Sequence, residues 1–201
     1  ALAFLDRMGT TPWKHLLLRA VEANSHLKHS SYFQFATIGE NGRPCNRTVV
    51  FRGFEENSDR IQINTDCRTR KIRELKHFPY AEICWYFTES WEQFRISGKV
   101  DIVDSSNPSC LKLQLREKAW AATSLNSRLQ YLRSDPGLPC LNEQQVSDSN
   151  LANSSPLPTY CLLSMDPDQV DYLNLKSDER VVYSVHFDGG EKQWKEEPIN
   201  P

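Results

Sequence analysis

The 201-residue sequence predicts a mainly β fold, a small antiparallel barrel flanked by helices. Three observations carry this. About seven short runs are rich in β-branched and aromatic residues and end at turn signals. Only two or three stretches show the helical spacing of apolar residues. No G-x-G-x-x-G fingerprint, P-loop or internal repeat is present, which argues against a Rossmann nucleotide site.

Thr11-Pro12-Trp13 reads as a helix start, with Thr as N-cap and Pro at the first helical position. Trp13, Leu16, Leu17, Ala20 and Val21 follow at i, i+3, i+4, i+7 and i+8, so one face is buried. Residues 31–38 form a strand, and Glu40-Asn41-Gly42-Arg43 carries the Asn-Gly hairpin signal. Residues 47–52 and 60–64 are strands, separated by a polar turn at 55–59. Ile72, Leu75 and Phe78 mark a helix that Asp66 or Thr69 can cap. Residues 81–87 are a buried strand. Residues 91–103 run back, with Gln93, Arg95, Ser97 and Lys99 alternating against Phe94, Ile96, Gly98 and Val100.

Asn107-Pro108-Ser109 opens a long helix. Its apolar stripe is Leu111, Leu115, Ala119, Ala122, Leu125, Leu129 and Leu132, with Arg116, Arg128 and Arg133 off it. Residues 135–158 are rich in Ser, Asn, Gln and Pro and read as a mobile loop. Residues 160–163, 169–175 and 180–187 are further strands, and Asp188-Gly189-Gly190 turns into a last strand carrying Trp194.

The length fits one domain, residues 11–201, behind an N-terminal extension, residues 1–10, in which Met8 looks like a natural start. A net charge of −2 gives no global pull toward nucleic acid or an anionic membrane. The six cysteines contain no C-x-x-C pair, which argues against a zinc cage or a disulfide framework and for a cytoplasmic type of compartment. His26 and His29 have metal-like spacing but no acidic or Cys partner nearby, so no metal site is expected. No apolar run approaches the ~18 residues of a membrane span.

Basic character is local. Arg68, Arg70 and Lys71 fall in or beside the first turn of a helix, where the macrodipole disfavours cations. A helix N-terminus that collects cations suits an anion. Free backbone N–H groups, the Thr65 and Thr69 hydroxyls and the guanidinium forks could converge on one phosphate. The alternative is a solvated basic helix start, with Arg47 and Arg52 paired to Glu55 and Glu56.

The order R-x-V-x-x-R at 47–52, N-T-x-x-x-T-R-K at 64–71 and a later strand Gln resembles the pyridoxamine 5′-phosphate oxidase family. The C-terminal series of Asp171-Tyr172, Arg180 before a strand, Trp194 and Asn200-Pro201 resembles the same family. The resemblance implies an antiparallel FMN-binding split β-barrel that works as a homodimer with FMN at the interface. It implies that Arg47, Thr48, Val49, Val50 and Arg52 line the flavin, with Asn64 and Thr65 at the strand end that meets it. Arg70 and Lys71 would hold the FMN phosphate. Gln93, Tyr172 and Arg180 would contact the ring, Gln93 from the partner subunit.

The activity implied is FMN-dependent oxidation of pyridoxine or pyridoxamine 5′-phosphate to pyridoxal 5′-phosphate with O₂ as acceptor, with no acid–base dyad or nucleophile from the protein. An FMN split-barrel oxidoreductase of another substrate, or a flavin-binding module without turnover, is the alternative. The substrate half of the pattern is less well kept. Lys176-Ser177-Asp178-Glu179 stands where the family has an R-x-H pair, which leaves Arg52, Arg116 and Arg128 to bind the substrate.

Overall fold

The computed structural model describes residues 11–138, 151 and 154–201; the extension at 1–10 lies outside them. Among these residues the elements are α1 (Pro12–Ala23), β1 (Tyr32–Ile38), β2 (Pro44–Val50), β3 (Ile61–Asp66), α2 (Arg70–His77), β4 (Tyr80–Phe87) and β5 (Glu92–Val103). After them come α3 (Cys110–Ala121), α4 (Leu125–Leu129), β6 (Tyr160–Asn174), β7 (Glu179–Asp188) and β8 (Glu191–Ile199). The strands pair antiparallel in the order β2-β1-β4-β5-β6-β7-β8, with β3 added along β6.

β2 and β3 follow one another in sequence yet are not hairpin partners. β2 pairs with β1, and β3 with the first half of β6. They meet only past the end of β2. There Arg52 N donates to Gln62 O at 3.0 Å, Gln62 N donates to Gly53 O at 2.9 Å, and Phe54 bridges Ile61. Gly53 makes this bend with φ at 104°, a conformation that L side chains rarely adopt. The short contact closes β2-β1-β4-β5-β6-β3 into a barrel with a seam. Alternation along the strands fills the interior with Phe33, Phe35, Ile63, Ile83, Trp85 and Phe94, while α1 adds Trp13 and Leu17, both fully buried.

β6 is one strand of 15 residues where two strands are expected at 160–163 and 169–175. Pro167 looks like a break, but it sits opposite Gly98, where the register with β5 shifts. A bulge tolerates the missing N–H of proline. The approach there is so close that a Cβ on Gly98 would overlap the Asp166 carbonyl.

The expected long helix is broken. α3 ends at Ala121, and Ser124 caps α4, its Oγ accepting from Ser127 N at 3.4 Å. The buried side is also different. Arg116, Trp120, Arg128 and Tyr131 are buried, whereas Leu111 of the apolar stripe is 73% exposed and Leu125 42%. Trp120, Tyr131, Tyr160 and Leu151 form a second small core against the outer side of β6. Leu151 and Ser154 fall in the stretch read as a mobile loop. Leu151 is buried, and Ser154 O accepts from Trp120 Nε1 at 2.8 Å, so this part of the segment is anchored. Residues 139–150 and 152–153 of that reading lie outside the described residues.

Candidate functional site

Two features meet at β3. The first is a set of cations around the start of α2. The Lys71 ammonium donates to Thr65 Oγ1 at 3.0 Å and to Thr69 Oγ1 at 3.1 Å. Burial, and then the nearby Arg47 charge, pull the Lys71 pKa below the ordinary lysine value. Arg47 donates to Glu74 Oε2 at 2.7 Å and to Thr37 Oγ1 at 2.5 Å. Burial pushes the Glu74 carboxyl up, but the bonds from Thr37 and Arg47 outweigh it and hold its pKa below the usual carboxylate value.

Arg47 is therefore paired with Glu74, not with Glu55 or Glu56. Asp66 accepts from Thr69 N through its backbone O at 3.1 Å, but its side chain does not cap α2. It binds Arg68, accepting from Arg68 N at 2.8 Å and from Arg68 Nη2 at 2.6 Å. Among the described residues no carboxylate pairs with Arg52, Arg70 or Lys71, although Arg47, Arg60, Arg68, Arg95 and Arg180 all have one. A half-buried ammonium held only by two hydroxyls, beside a free helix N-terminus and an exposed Arg70, matches what a phosphate dianion needs.

The second feature is a cavity of about 500 Å³ over the seam, within the usual range for small-molecule sites. The seam side supplies Phe51, Arg52, Phe54, Glu56, Gln62 and Asn64, and α3 with its following turn supplies Leu115, Lys118, Ala119, Ala122 and Thr123. Gln62 and Asn64 alternate with the buried Ile61, Ile63 and Thr65, so they point out of the barrel into this space. Asn64 is held from both sides. Tyr160 Oη donates to its Oδ1 at 2.9 Å, and its Nδ2 donates to Thr123 Oγ1 at 2.8 Å. One amide N–H is left for a ligand. The apolar stripe of the sequence thus lines the cavity through Leu115, Ala119 and Ala122, while Ala119 and Leu132 also pack against the second small core.

Of the expected substrate ligands, only Arg52 lines the cavity. Arg116 is buried, donating through Nη2 to Leu157 O at 2.6 Å and to Tyr160 O at 2.9 Å. Arg128 donates to Thr123 O at 3.0 Å and to Leu151 O at 2.8 Å and lies over the Trp120 ring. Both guanidinium groups satisfy backbone carbonyls, those of Thr123, Leu151, Leu157 and Tyr160, where α3 and α4 meet the start of β6. They are structural, because a buried carbonyl without a donor is costly and the arginine fork supplies several donors at once.

Gln93, Tyr172 and Arg180 do not line this cavity. Tyr172 points into the barrel, packing on Phe94 with ring centroids 4.9 Å apart and donating to Glu92 Oε1 at 2.8 Å. It is a core residue, and no ring-stacking role is open to it. The residue paired with Gln93 is Leu173, which in turn pairs with Arg180. Gln93, Leu173 and Arg180 thus form one cross-strand row on the outside of the sheet. Arg180 is clamped there by Asp171, with bonds of 3.0 and 2.8 Å. Lys176 donates to Glu89 O at 2.7 Å, which ties the β6–β7 turn to the β4–β5 turn away from the cavity. Thr48 and Val50 stand on β2 at exposed and half-buried positions, and Val49 packs on the core.

Gln62, Lys118 and Thr123 were not singled out from sequence. The outward alternation on β3 marks Gln62, and the i, i+3, i+4, i+7 set Leu115, Lys118, Ala119 and Ala122 marks Lys118. Nothing local marks Thr123. Among the described residues no His/Cys/Asp/Glu group could hold a metal ion, and no helix is long and apolar enough to cross a membrane.

Comparison with known proteins shows the family and the fold. A family model described as pyridoxamine 5′-phosphate oxidase, FMN-binding domain, matches residues 10–104. An Arabidopsis thaliana protein named pyridoxine/pyridoxamine 5′-phosphate oxidase 2 is 62% identical over 198 residues, covering 96% of this chain and 100% of its own length. A Herminiimonas arsenicoxydans pyridoxine/pyridoxamine 5′-phosphate oxidase is 24% identical over 176 residues, covering 83% of this chain and 77% of its own. The crystal structure of a pyridoxamine 5′-phosphate oxidase-related, FMN-binding protein from Nostoc punctiforme has a TM-score of 0.84 at 36% identity, covering 96% of this chain and 100% of that one. PhzG from Burkholderia lata, at 18% identity and a TM-score of 0.68 over 98% of this chain and 95% of its own, shares the fold.

Proposed function

The chain belongs to the pyridoxamine 5′-phosphate oxidase family, and from that premise we propose that it oxidises pyridoxine or pyridoxamine 5′-phosphate to pyridoxal 5′-phosphate with O₂ as acceptor. It is an FMN-dependent oxidoreductase with a split-barrel fold. The observation that carries the reading is the set of cations left without carboxylates, Lys71 and Arg70 at the start of α2 and Arg52 in the seam cavity beside it.

The residues fit FMN. Lys71, Arg70 and the Thr65 and Thr69 hydroxyls would hold its phosphate, with Arg47 adding charge from its Glu74-bound position. Bound there, FMN would supply two-electron chemistry, taking hydride from the substrate carbon and returning the electrons to O₂ as H₂O₂. The chain's own task is to bind, orient and dry the site. Arg52 would neutralise the substrate's negative charge, Gln62 and Asn64 would donate to polar atoms of the ring system, and Phe51, Phe54 and Leu115 would exclude water.

A homodimer completes this proposal. Gln93, Leu173 and Arg180 face outward, in a surface that also exposes Tyr80, Tyr86 and Leu175 at 55%, 41% and 51%. None of the row lines the chain's own cavity, so a second copy is what would bring Gln93 and Arg180 to a flavin.

The test is purified protein incubated with each phosphate ester in air. The reading requires pyridoxal 5′-phosphate and H₂O₂ in equal amounts and FMN as the released cofactor. No product from a flavin-loaded protein would overturn it. A second reading, an FMN oxidoreductase of another substrate, draws on the structural commitment of Arg116 and Arg128. NAD(P)H oxidation in the absence of the esters would support it.

A further inference from the structure

Resting on the phosphate-ester reading above, we propose that Lys118 is the second substrate-phosphate cation of the cavity. Its ion pair with Glu56 is the latch that the phosphate opens.

Among the described residues three charged ones line the cavity: Arg52 and Glu56 from the seam side and Lys118 from α3. Lys118 shares its helix face with Leu115, Ala119 and Ala122, which line the same cavity. Arg116 and Trp120 leave the opposite side into the second core. Lys118 is thus the one cation of α3 on the cavity wall. Its Nζ lies 2.9 Å from Glu56 Oε2, and the two side chains are 73% and 71% exposed. The pair joins α3 to the β2–β3 connection, spanning the cavity between its two walls.

An ion pair this exposed is weak and exchanges readily for a stronger acceptor. A phosphate dianion offers three oxygens and two charges, and lysine's flexible stem can follow it. The charge count agrees. With the latch shut, Arg52 is the single uncompensated cation among the described residues of the cavity. With it open, Arg52 and Lys118 match a dianion, and Glu56 is released to water. Specificity for the phosphorylated over the free vitamer then comes from residues 52 and 118, the role that Arg116 and Arg128 cannot take.

The experiment uses the FMN-loaded protein and equilibrium binding, by flavin spectral shift and calorimetry, of three probes. These are 4-deoxypyridoxine 5′-phosphate, which has no oxidisable 4′ carbinol, 4-deoxypyridoxine and inorganic phosphate. Lys118→Ala is expected to weaken the phosphorylated probe about tenfold or more, the loss of one charge-assisted contact, and to leave the unphosphorylated one within about twofold. Lys118→Arg should retain most of the binding. Glu56→Gln should tighten the phosphorylated probe by about two- to fivefold, because it removes the competing carboxylate.

Equal binding of the phosphorylated probe by Lys118→Ala and the parent overturns the proposal, as does an equal loss for both pyridine probes. If the parent binds neither pyridine probe, the phosphate-ester reading fails by itself. Lys118-dependent binding of inorganic phosphate would then still support the subsite, and phosphate binding that is absent or indifferent to Lys118 overturns it.

Discussion

Replacing Arg116 with alanine separates a structural arginine from a substrate-binding one. Arg116 Nε and Nη2 reach Tyr160 O at 3.2 and 2.9 Å, and Nη2 also reaches Leu157 O at 2.6 Å, in a position only 5% exposed. Alanine leaves Tyr160 O without a donor, whereas Leu157 O keeps its bond from Tyr160 N at 3.0 Å. One unsatisfied buried group costs ~1–3 kcal/mol, and the change destabilises by about that much, with water entry pulling the value toward the lower end. Taking about 2 kcal/mol, a chain of this size loses about 4–8 °C in Tm. Arg116→Lys keeps the charge but lacks the planar fork, so it should fall between the two. The assay is thermal unfolding of the FMN-loaded protein, with steady-state kinetics taken well below the transition. The expected pattern is a large Tm drop with KM for the phosphate ester near the parent value. A Tm within about 2 °C of the parent together with a tenfold rise in KM would refute the structural assignment.

Three further outcomes are expected. Arg70→Ala with Lys71→Ala removes two charge-assisted contacts worth ~1.5–3 kcal/mol each, so FMN affinity should fall at least a hundredfold; affinity within threefold of the parent would put the phosphate elsewhere. Because the Lys71 pKa is lowered and an anion favours its charged form, FMN affinity should begin to decline with rising pH below the ordinary lysine value of ~10.4, and Lys71→Arg should move that decline upward. Gly98→Ala forces β5 away from Asp166 O at the bulge and should cost about 1–3 kcal/mol in a denaturant titration, with unchanged stability contradicting the close approach.

The Glu74 carboxyl adds a pH signature of its own. Its folded pKa is depressed, so the stability it contributes is fully present above the unfolded carboxylate value of ~4.3 and is lost as pH falls through the lower folded value. The stability gap between parent and Glu74→Gln should therefore be flat above about pH 5 and shrink below about pH 4. A gap that grows on acidification would contradict the assigned direction.

Local signals located the strands well. Alternation at 60–64 and 91–103 and the Asn-Gly and Gly-Gly turns are short-range features, and β3, β5 and the two hairpin turns stand where they indicate. Pairing was not legible, because nothing in residues 47–66 says that β3 pairs with a strand about a hundred residues later. β6 was misread as two strands because Pro167 carries its meaning only opposite Gly98. The cation set at α2 could be found from residue types at a helix start. The cavity face of α3 could not, because an apolar stripe ordinarily signals burial and here the buried side is Arg116 and Trp120. Arginine satisfying carbonyls in a second core looks, in sequence, like arginine waiting for a phosphate.

The most direct test of the central claim is an anaerobic titration of the FMN-loaded protein with pyridoxamine 5′-phosphate, followed by flavin absorbance and by pyridoxal 5′-phosphate after quenching. Hydride transfer in the cavity predicts loss of the oxidised flavin band with one pyridoxal 5′-phosphate formed per flavin, and return of the band on admitting O₂. A flavin that stays oxidised in the presence of saturating ester would contradict the account.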